Sequence, residues 1–163
     1  MTYFPGTLIN LEEAPADWEP ITPFPMGSVS FVSGHPHGNR LRVRYYKRKG
    51  DENLVGKVWF GPEAEGPPGH AHGGSMAAVL DEVMGACAWM KGHTVLAAQL
   101  TTNFRNPLPL GTIAHFEAKV DRVEGRKVYT TGRLADESGK LFCEGTCLFI
   151  VIDPTKFSQR KQD

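Results

Sequence analysis

The sequence predicts an α+β domain in which an antiparallel sheet wraps around one long helix. Residues 75–90 form a long segment with few polar side chains, and Gly92 stands where a helix C-cap is expected. A short strand and a hairpin precede this helix, and four strand-like segments follow it with short turn sequences between them. A single helix among strands joined by tight turns is typical of an antiparallel α+β domain.

The segments before the helix are predicted to form an irregular lead-in, a short strand and a hairpin. Residues 1–27 are rich in proline and show no clear period. A short strand is predicted at residues 28–32. Residues 39–49 partly alternate basic and apolar side chains, as half-exposed strands do, and residues 54–60 return as a second strand after the turn at residues 50–53.

The segments after the helix have the composition of strands. They are separated by turn signals such as Asn106 to Gly111, Glu124-Gly125 and Glu137 to Gly139. We therefore place a single domain at residues 28–153 and a polar tail at residues 154–163. The strands are predicted at residues 96–104, 113–123, 127–136 and 140–152.

The composition narrows the classes of partner. The chain has 163 residues, with 18 Lys plus Arg against 18 Asp plus Glu, which argues against nucleic acid as a partner. Cys87, Cys143 and Cys147 lie in apolar segments without Cys-x-x-Cys spacing, as reduced core residues do. The sequence shows neither a secretory leader nor an apolar run long enough to span a bilayer. We therefore expect a cytoplasmic protein with no membrane partner.

The start of the helix combines two features that suit acyl hydrolysis. Gly73 and Gly74 open it with free backbone N–H groups at the positive end of the helix dipole. Asp81 lies deeper in the same apolar helix, where a carboxylate needs a partner or a function. Glu82 points about 100° away from Asp81 around the helix, so at most one of the two shares a face with the small residues beside Asp81.

The small residues around Asp81 leave two interpretations open. A shallow helix face lets a substrate or another backbone approach the carboxylate. Alternatively, the same residues let the sheet pack closely while Asp81 is held in a salt bridge. The residues at helical spacing from Asp81 are Ala77, Ala78, Met84, Gly85 and Ala88.

The spacing of the two features favours a dimer if the site is catalytic. Gly73 and Asp81 are eight residues apart, which is about 12 Å along a straight helix. A base and an oxyanion donor must both lie within about 3 Å of one carbonyl group. An antiparallel helix from a second copy would bring Asp81 of one protomer beside Gly73-Gly74 of the other. The sequence therefore favours a two-fold dimer with composite sites.

The motif around these residues resembles a known family. His72-Gly73-Gly74, with Asp81 nine residues after the histidine, is similar to the His-Gly-Gly-x6-Asp/Glu motif of hotdog-fold acyl-CoA thioesterases, in particular the phenylacetate-pathway (PaaI-like) group and the related 4-hydroxybenzoyl-CoA thioesterase-like proteins. The strand at residues 100–107 and the basic turn at residues 123–127 resemble the same family. Asn103 and Phe104 on that strand, together with His70, are expected to contact the acyl-CoA substrate. The resemblance covers residues 54–152.

The resemblance implies a role for each matched residue. Asp81 would be the catalytic carboxylate, which either attacks the thioester carbonyl or activates water. The Gly73 or Gly74 amide would polarise the thioester oxygen, and His72 would set the loop geometry or hydrogen-bond near the carbonyl. Arg126 and Lys127 would approach the phosphates of coenzyme A, although an ordinary solvated turn explains them equally well.

Two positions depart from the family pattern. The family often has an amide side chain six residues before the motif histidine, where this chain has Gly66. Some members also have a hydroxyl residue early in the strand after the helix, where this chain has Ala97 or Ala98. The group that positions the attacking water is therefore unassigned, and His70 and Asn103 are the candidates to replace it.

Two other chemistries fit less well. Ser75, His72 and Asp81 are triad residue types, but their order at one helix end prevents mutual hydrogen bonds. Neither of the chain's His-x-His pairs has a cysteine or carboxylate nearby at zinc-ligand spacing.

The sequence thus predicts an acyl-CoA thioesterase that needs no metal or redox cofactor and that acts as a homodimer or a dimer of dimers. A non-catalytic acyl-CoA-binding protein and a thioesterase acting on carrier proteins remain as alternatives.

Overall fold

The computed structural model describes residues 9–24 and 29–156, which form one seven-stranded antiparallel sheet and one long helix. The strand order is β1-β2-β3-β5-β6-β7-β4. Short 3-10 helices lie at Pro62–Ala64 and Pro154–Lys156. The long elements are β1 (Trp18–Pro20), β2 (Leu41–Arg48), β3 (Leu54–Phe60), α1 (Gly73–Met90), β4 (Val95–Phe104), β5 (Ile113–Glu124), β6 (Lys127–Ala135) and β7 (Leu141–Val151).

Helix α1 supplies the centre of the core. It is rich in Ala and Met, which favour helix, and its side chains pack against β4, β5, β6 and β7. Its C-terminus is closed where Gly92, with φ +87°, donates its N–H to the Trp89 carbonyl at 2.9 Å. No helix in the described ranges is long and apolar enough to cross a membrane. The buried helix residues are Met76, Val79, Leu80, Val83, Met84, Ala86, Cys87 and Ala88.

The sheet curves around the helix because glycines on its inner face make room for helix side chains. Gly132 lies opposite Met84, whose Cγ would be only 2.9 Å from a Cβ at that position. On the neighbouring strand, a Cβ at Gly145 would lie 3.4 Å from Leu80 Cδ1. Cys143 and Cys147 lie on the same strand face, and both are buried and unbridged, as predicted.

The segment before β2 differs from the prediction. Strand β1 lies within residues 1–27, which were expected to be irregular, and it pairs with β2 while Trp18 packs on Tyr46. The strand predicted at residues 28–32 is wrong for the described residues 29–32. Gly34 donates to the Ser30 carbonyl there and closes a turn. Ser28, residues 1–8 and most of the predicted tail lie outside the described residues.

Strand β4 forms one edge of the sheet and exposes large apolar side chains to solvent. Among the described residues it pairs only with β7, so its outer edge has no strand beside it. Leu96, Leu100 and Phe104 on this strand are 49%, 37% and 53% exposed. A long apolar edge strand is a surface that proteins normally cover or pair.

Gly56 and Gly85 give a matched test of the packing. A Cβ at Gly56 would overlap the Arg44 carbonyl oxygen and the Phe116 ring, whereas a Cβ at Gly85 would make ordinary contact with Phe149 at 3.5 Å. We expect Gly56→Ala to lower the free energy of unfolding by about 2 kcal/mol. Gly85→Ala should raise it by up to about 1 kcal/mol, since alanine favours helix. Urea unfolding measures both, and equal stabilities would contradict the packing described here.

Candidate active site

The loop before α1 fixes the position of the helix start. The His72 N–H donates to the Ala64 carbonyl at 2.7 Å, which ties the loop to the 3-10 helix. Gly66 lies against His72, and a Cβ at Gly66 would be 2.6 Å from His72 Cα. Gly66 therefore has a structural reason to be glycine, because this loop conformation leaves no room for the amide side chain often found at that position in the family.

The backbone N–H groups of the two glycines at the helix start differ in whether they are free to donate a hydrogen bond to a ligand. His72 is the N-cap, and its Nδ1 accepts a hydrogen bond from the Gly74 N–H at 2.8 Å. The Gly73 N–H has no acceptor among the described residues. Of the two amides that the sequence left open, Gly73 is the one whose N–H is free at the positive end of the helix.

Asp81 lies halfway along α1 and is partly buried. It makes no hydrogen bond or ion pair within residues 9–24 and 29–156, so the salt-bridge interpretation is wrong for this part of the chain. Burial, and then the charge of Glu82, raise the pKa of Asp81 above its usual value. Burial, and then the charge of Asp81, raise the pKa of Cys147 on β7 to about 12.

The neighbouring Glu82 lies in a different environment, as its helical offset predicts. It accepts hydrogen bonds from the hydroxyls of Ser30 and Tyr45. Ser30 belongs to residues 29–39, which lie before β2 and which we call the strap because Ser30 ties this segment to α1. Sequence reasoning missed this cluster, since its members come from three distant parts of the chain.

Helix α1 runs antiparallel to β4. Gly73 lies beside Phe104, where a Cβ would be 3.4 Å from the Phe104 Cζ, and Gly85 lies beside Phe149, which pairs with Ala97. The helix continues without interruption from Gly73 to Met90, so Gly73 and Asp81 are about 12 Å apart along its axis. A single chain therefore does not bring the free amide and the carboxylate to one carbonyl group.

The structure does not bring either candidate for water positioning to Asp81. Asn103 pairs with Glu144 and is exposed, and it points away from the helix because its neighbour Phe104 points toward it. His70 lies before the helix, where its Nδ1 is 3.0 Å from the Pro68 carbonyl.

The basic turn lies at the far end of the same chain. Arg126 donates to the Val151 carbonyl at 3.2 Å, and Lys127 pairs with Ile150, which in turn pairs with Leu96. Leu96 is eight residues from Phe104 along β4, so this turn is about 25 Å from Gly73 of its own chain.

Comparison with known proteins shows similarity to thioesterases. A model of the thioesterase superfamily matches residues 68–143, which contain the helix start, Asp81 and the edge strand. The fold is accordingly the hotdog fold that the sequence predicted. A crystal structure of a thioesterase superfamily protein shares 30% identity and a TM-score of 0.68, and the match covers 75% of this chain and 60% of that chain.

Several similar proteins have names that state an activity. Acyl-coenzyme A thioesterase THEM4 from Xenopus laevis is 33% identical over 144 residues, and its counterpart from Bos taurus is 33% identical over 129 residues. Each match covers 78% of this chain but only 65% and 53% of those relatives, respectively. A Bacillus halodurans protein crystallised with CoA has the same fold, at 22% identity and a TM-score of 0.60, over 67% of this chain and 73% of that one.

The His72 cap can be tested separately from catalysis. We expect His72→Ala to lower the free energy of unfolding by about 1 kcal/mol, because the Gly74 N–H loses its acceptor. His72→Asn should recover most of that loss, since asparagine is a favoured N-cap. Thermal or urea unfolding measures both variants. Equal destabilisation by Ala and Asn would show that the ring packs rather than caps.

Proposed function

We propose that this chain is an acyl-CoA thioesterase, which converts an acyl-CoA and water into a carboxylic acid and free CoA. The observation that carries the proposal is Asp81, a partly buried carboxylate without a partner among the described residues. It lies on the helix whose first amide is free. The thioesterase names of the THEM4 relatives agree with this chemistry.

The proposed reaction assigns one role to each group. The ionised Asp81 accepts a proton from water as the water oxygen bonds to the thioester carbon, or it attacks that carbon directly and water then hydrolyses the resulting anhydride. The Gly73 N–H donates to the carbonyl oxygen as negative charge develops there. In either route the carbon–sulfur bond breaks as the tetrahedral intermediate collapses, before any anhydride is hydrolysed. The CoA thiolate then leaves and takes up a proton, which in the base-catalysed route is the one that Asp81 accepted from water.

The reaction as proposed needs a second copy of the chain. A free amide and a carboxylate about 12 Å apart on one helix do not reach the same thioester. In a two-fold dimer with antiparallel helices, Asp81 of one protomer approaches Gly73 of its partner. The unpaired, apolar edge of β4 supports this assembly, because a second β4 would cover it.

The geometry also supports a register for the two β4 strands. The point midway between Gly73 and Asp81 is Ala77, which by interpolation lies over β4 at the level of Thr101 and Thr102. The Thr102 Oγ1 atom is buried and has no hydrogen-bond partner within the described residues. A two-fold axis near Thr102 would place a second threonine hydroxyl beside it.

The same arrangement gives the basic turn a role. In the antiparallel pairing, Arg126 and Lys127 of one protomer lie nearer to Gly73 of the partner than to their own. We propose that they contact the phosphates of a CoA whose thioester is bound at the partner's helix start.

One observation favours a second candidate function. Gly66 and Ala97 provide no side-chain hydrogen bond to hold an attacking water, and neither His70 nor Asn103 replaces one within a single chain. A protein that binds acyl-CoA without hydrolysing it would need no such group. CoA release therefore distinguishes the two functions.

Replacing Asp81 tests the proposed reaction. Wild type should release CoA from at least one of acetyl-, octanoyl-, palmitoyl- and benzoyl-CoA. Asp81→Asn, which keeps the shape but removes the base, should lose activity by at least about 100-fold. The control Asp17→Asn removes an exposed carboxylate near the opposite sheet edge and should leave the rate unchanged. Binding without release by wild type would favour the second function, and full activity in Asp81→Asn would exclude Asp81 as the base.

A cysteine at the proposed axis tests the register. Thr102→Cys should form a disulfide-linked dimer under mild oxidation, since residues that face each other at a two-fold axis of paired strands have the spacing a disulfide needs. Leu96→Cys, exposed on the same strand but far from the axis, should not link. The readout is a non-reducing gel. A linked dimer with Leu96→Cys but not with Thr102→Cys would contradict the register.

A further inference from the structure

Glu82 is a carboxylate on the catalytic helix that the proposed reaction does not use. Both of its oxygens accept hydrogen bonds, Oε2 from the Ser30 hydroxyl and Oε1 from the Tyr45 hydroxyl. It makes no ion pair with a cation within the described residues, so its charge is held by hydroxyl groups alone. Tyr45 itself is buried, and burial, then the charge of Glu82, raise its pKa above the usual range.

The contacts of Glu82 join the strap to the helix. Val32, two residues after Ser30, is buried in the hydrophobic core. The Ser30 hydroxyl also accepts from the Val32 N–H at 3.3 Å, so one serine holds both the turn of the strap and the helix carboxylate. Phe24, in the segment before the strap, stacks edge-on against Tyr45 and Trp89 and extends the same contact along α1.

Glu82 is also adjacent to Asp81 in the chain, and after burial its charge is the second cause that raises the pKa of Asp81. The groups that face this pair of carboxylates are Tyr45 on β2, Ser30 on the strap and Cys147 on β7. None of them is a cation. The charge of Glu82 is therefore not neutralised by an ion pair within the described part of the chain, and its repulsion acts on Asp81 at the adjacent position.

We propose that Glu82 is a positioning residue for the thioesterase reaction, which ties the strap to α1 through Ser30 and Tyr45 and acts on Asp81 through its charge without touching the substrate. This inference rests on the proposed function of Asp81. It assigns the two adjacent carboxylates different tasks, with Asp81 reacting and Glu82 setting its surroundings.

The charge of Glu82 affects how the activity depends on pH. Asp81 has to be ionised to act, so activity rises as pH increases through its pKa. Burial and Glu82 both raise that pKa. Removing the charge of Glu82 should lower it again, and the acidic limb of the pH profile should move to lower pH.

Glu82→Gln tests this with the size of the side chain preserved. We expect the acidic limb of kcat/KM for the fastest acyl-CoA substrate to shift to lower pH in this variant, with activity on the alkaline plateau close to wild type. NMR titration of the Asp81 carboxyl should show the same shift without any turnover. If glutamine prevents folding, Glu82→Met removes the charge and provides the same comparison.

Ser30→Ala is the matched control, because it removes one tie to the strap and keeps the charge on Glu82. It should increase hydrogen exchange in residues 29–39 while leaving the acidic limb in place. An unchanged Asp81 titration in Glu82→Gln would overturn the inference even if wild type is an active thioesterase. Absence of turnover in wild type would instead defeat the proposed function, while the NMR titration would still decide the effect of Glu82 on Asp81.

Discussion

The length of helix between Gly73 and Asp81 is the constraint on which the proposed site depends. Two turns of straight helix separate a free amide from a carboxylate without a partner, and the hydrogen bonds of the helix keep that separation fixed. Bending the helix to close the distance would expose the core residues that pack it against the sheet. The separation can be bridged by symmetry instead, which makes the edge strand β4 as important to the proposed chemistry as the helix.

The packing of the core holds the helix against the sheet without filling the space around Asp81. Glycines on the inner face of the sheet accept the large side chains Leu80 and Met84, so the helix approaches the sheet closely on that side. Asp81 follows Leu80 on the helix and is partly buried. Glu82, one residue further, turns to the side that the strap covers. The two carboxylates are thus separated by the rotation of the helix itself.

Local signals in the sequence account for most of the fold. The strands after the helix end within one residue or two of the predicted positions, because glycine, proline and acidic turn residues stand between them. The helix begins two residues earlier than predicted. Gly73 and Gly74 are poor helix formers, and the His72 side chain compensates by accepting a hydrogen bond from the Gly74 N–H.

The features that sequence reasoning missed depend on distant contacts. Val29 to Val32 has strand-like composition, but Ser30 bonds to a carboxylate 52 residues away and a turn forms there. The short strand β1 lies among prolines and is stabilised by the packing of Trp18 on Tyr46. At the site, the sequence placed Asp81 and Gly73 on one helix. Only the structure shows that the Gly73 N–H is the free one, because the His72 ring accepts a hydrogen bond from the Gly74 N–H.

Complementation between two inactive chains tests the composite site most directly. Gly73→Pro removes only the proposed donor, since proline is well tolerated at the first position of a helix. Asp81→Asn and Gly73→Pro chains, co-expressed with different tags and purified as the mixed dimer, should regain about half of the wild-type activity, because one of the two sites then has both groups intact. A mixed dimer as inactive as either parent would contradict a site shared between protomers.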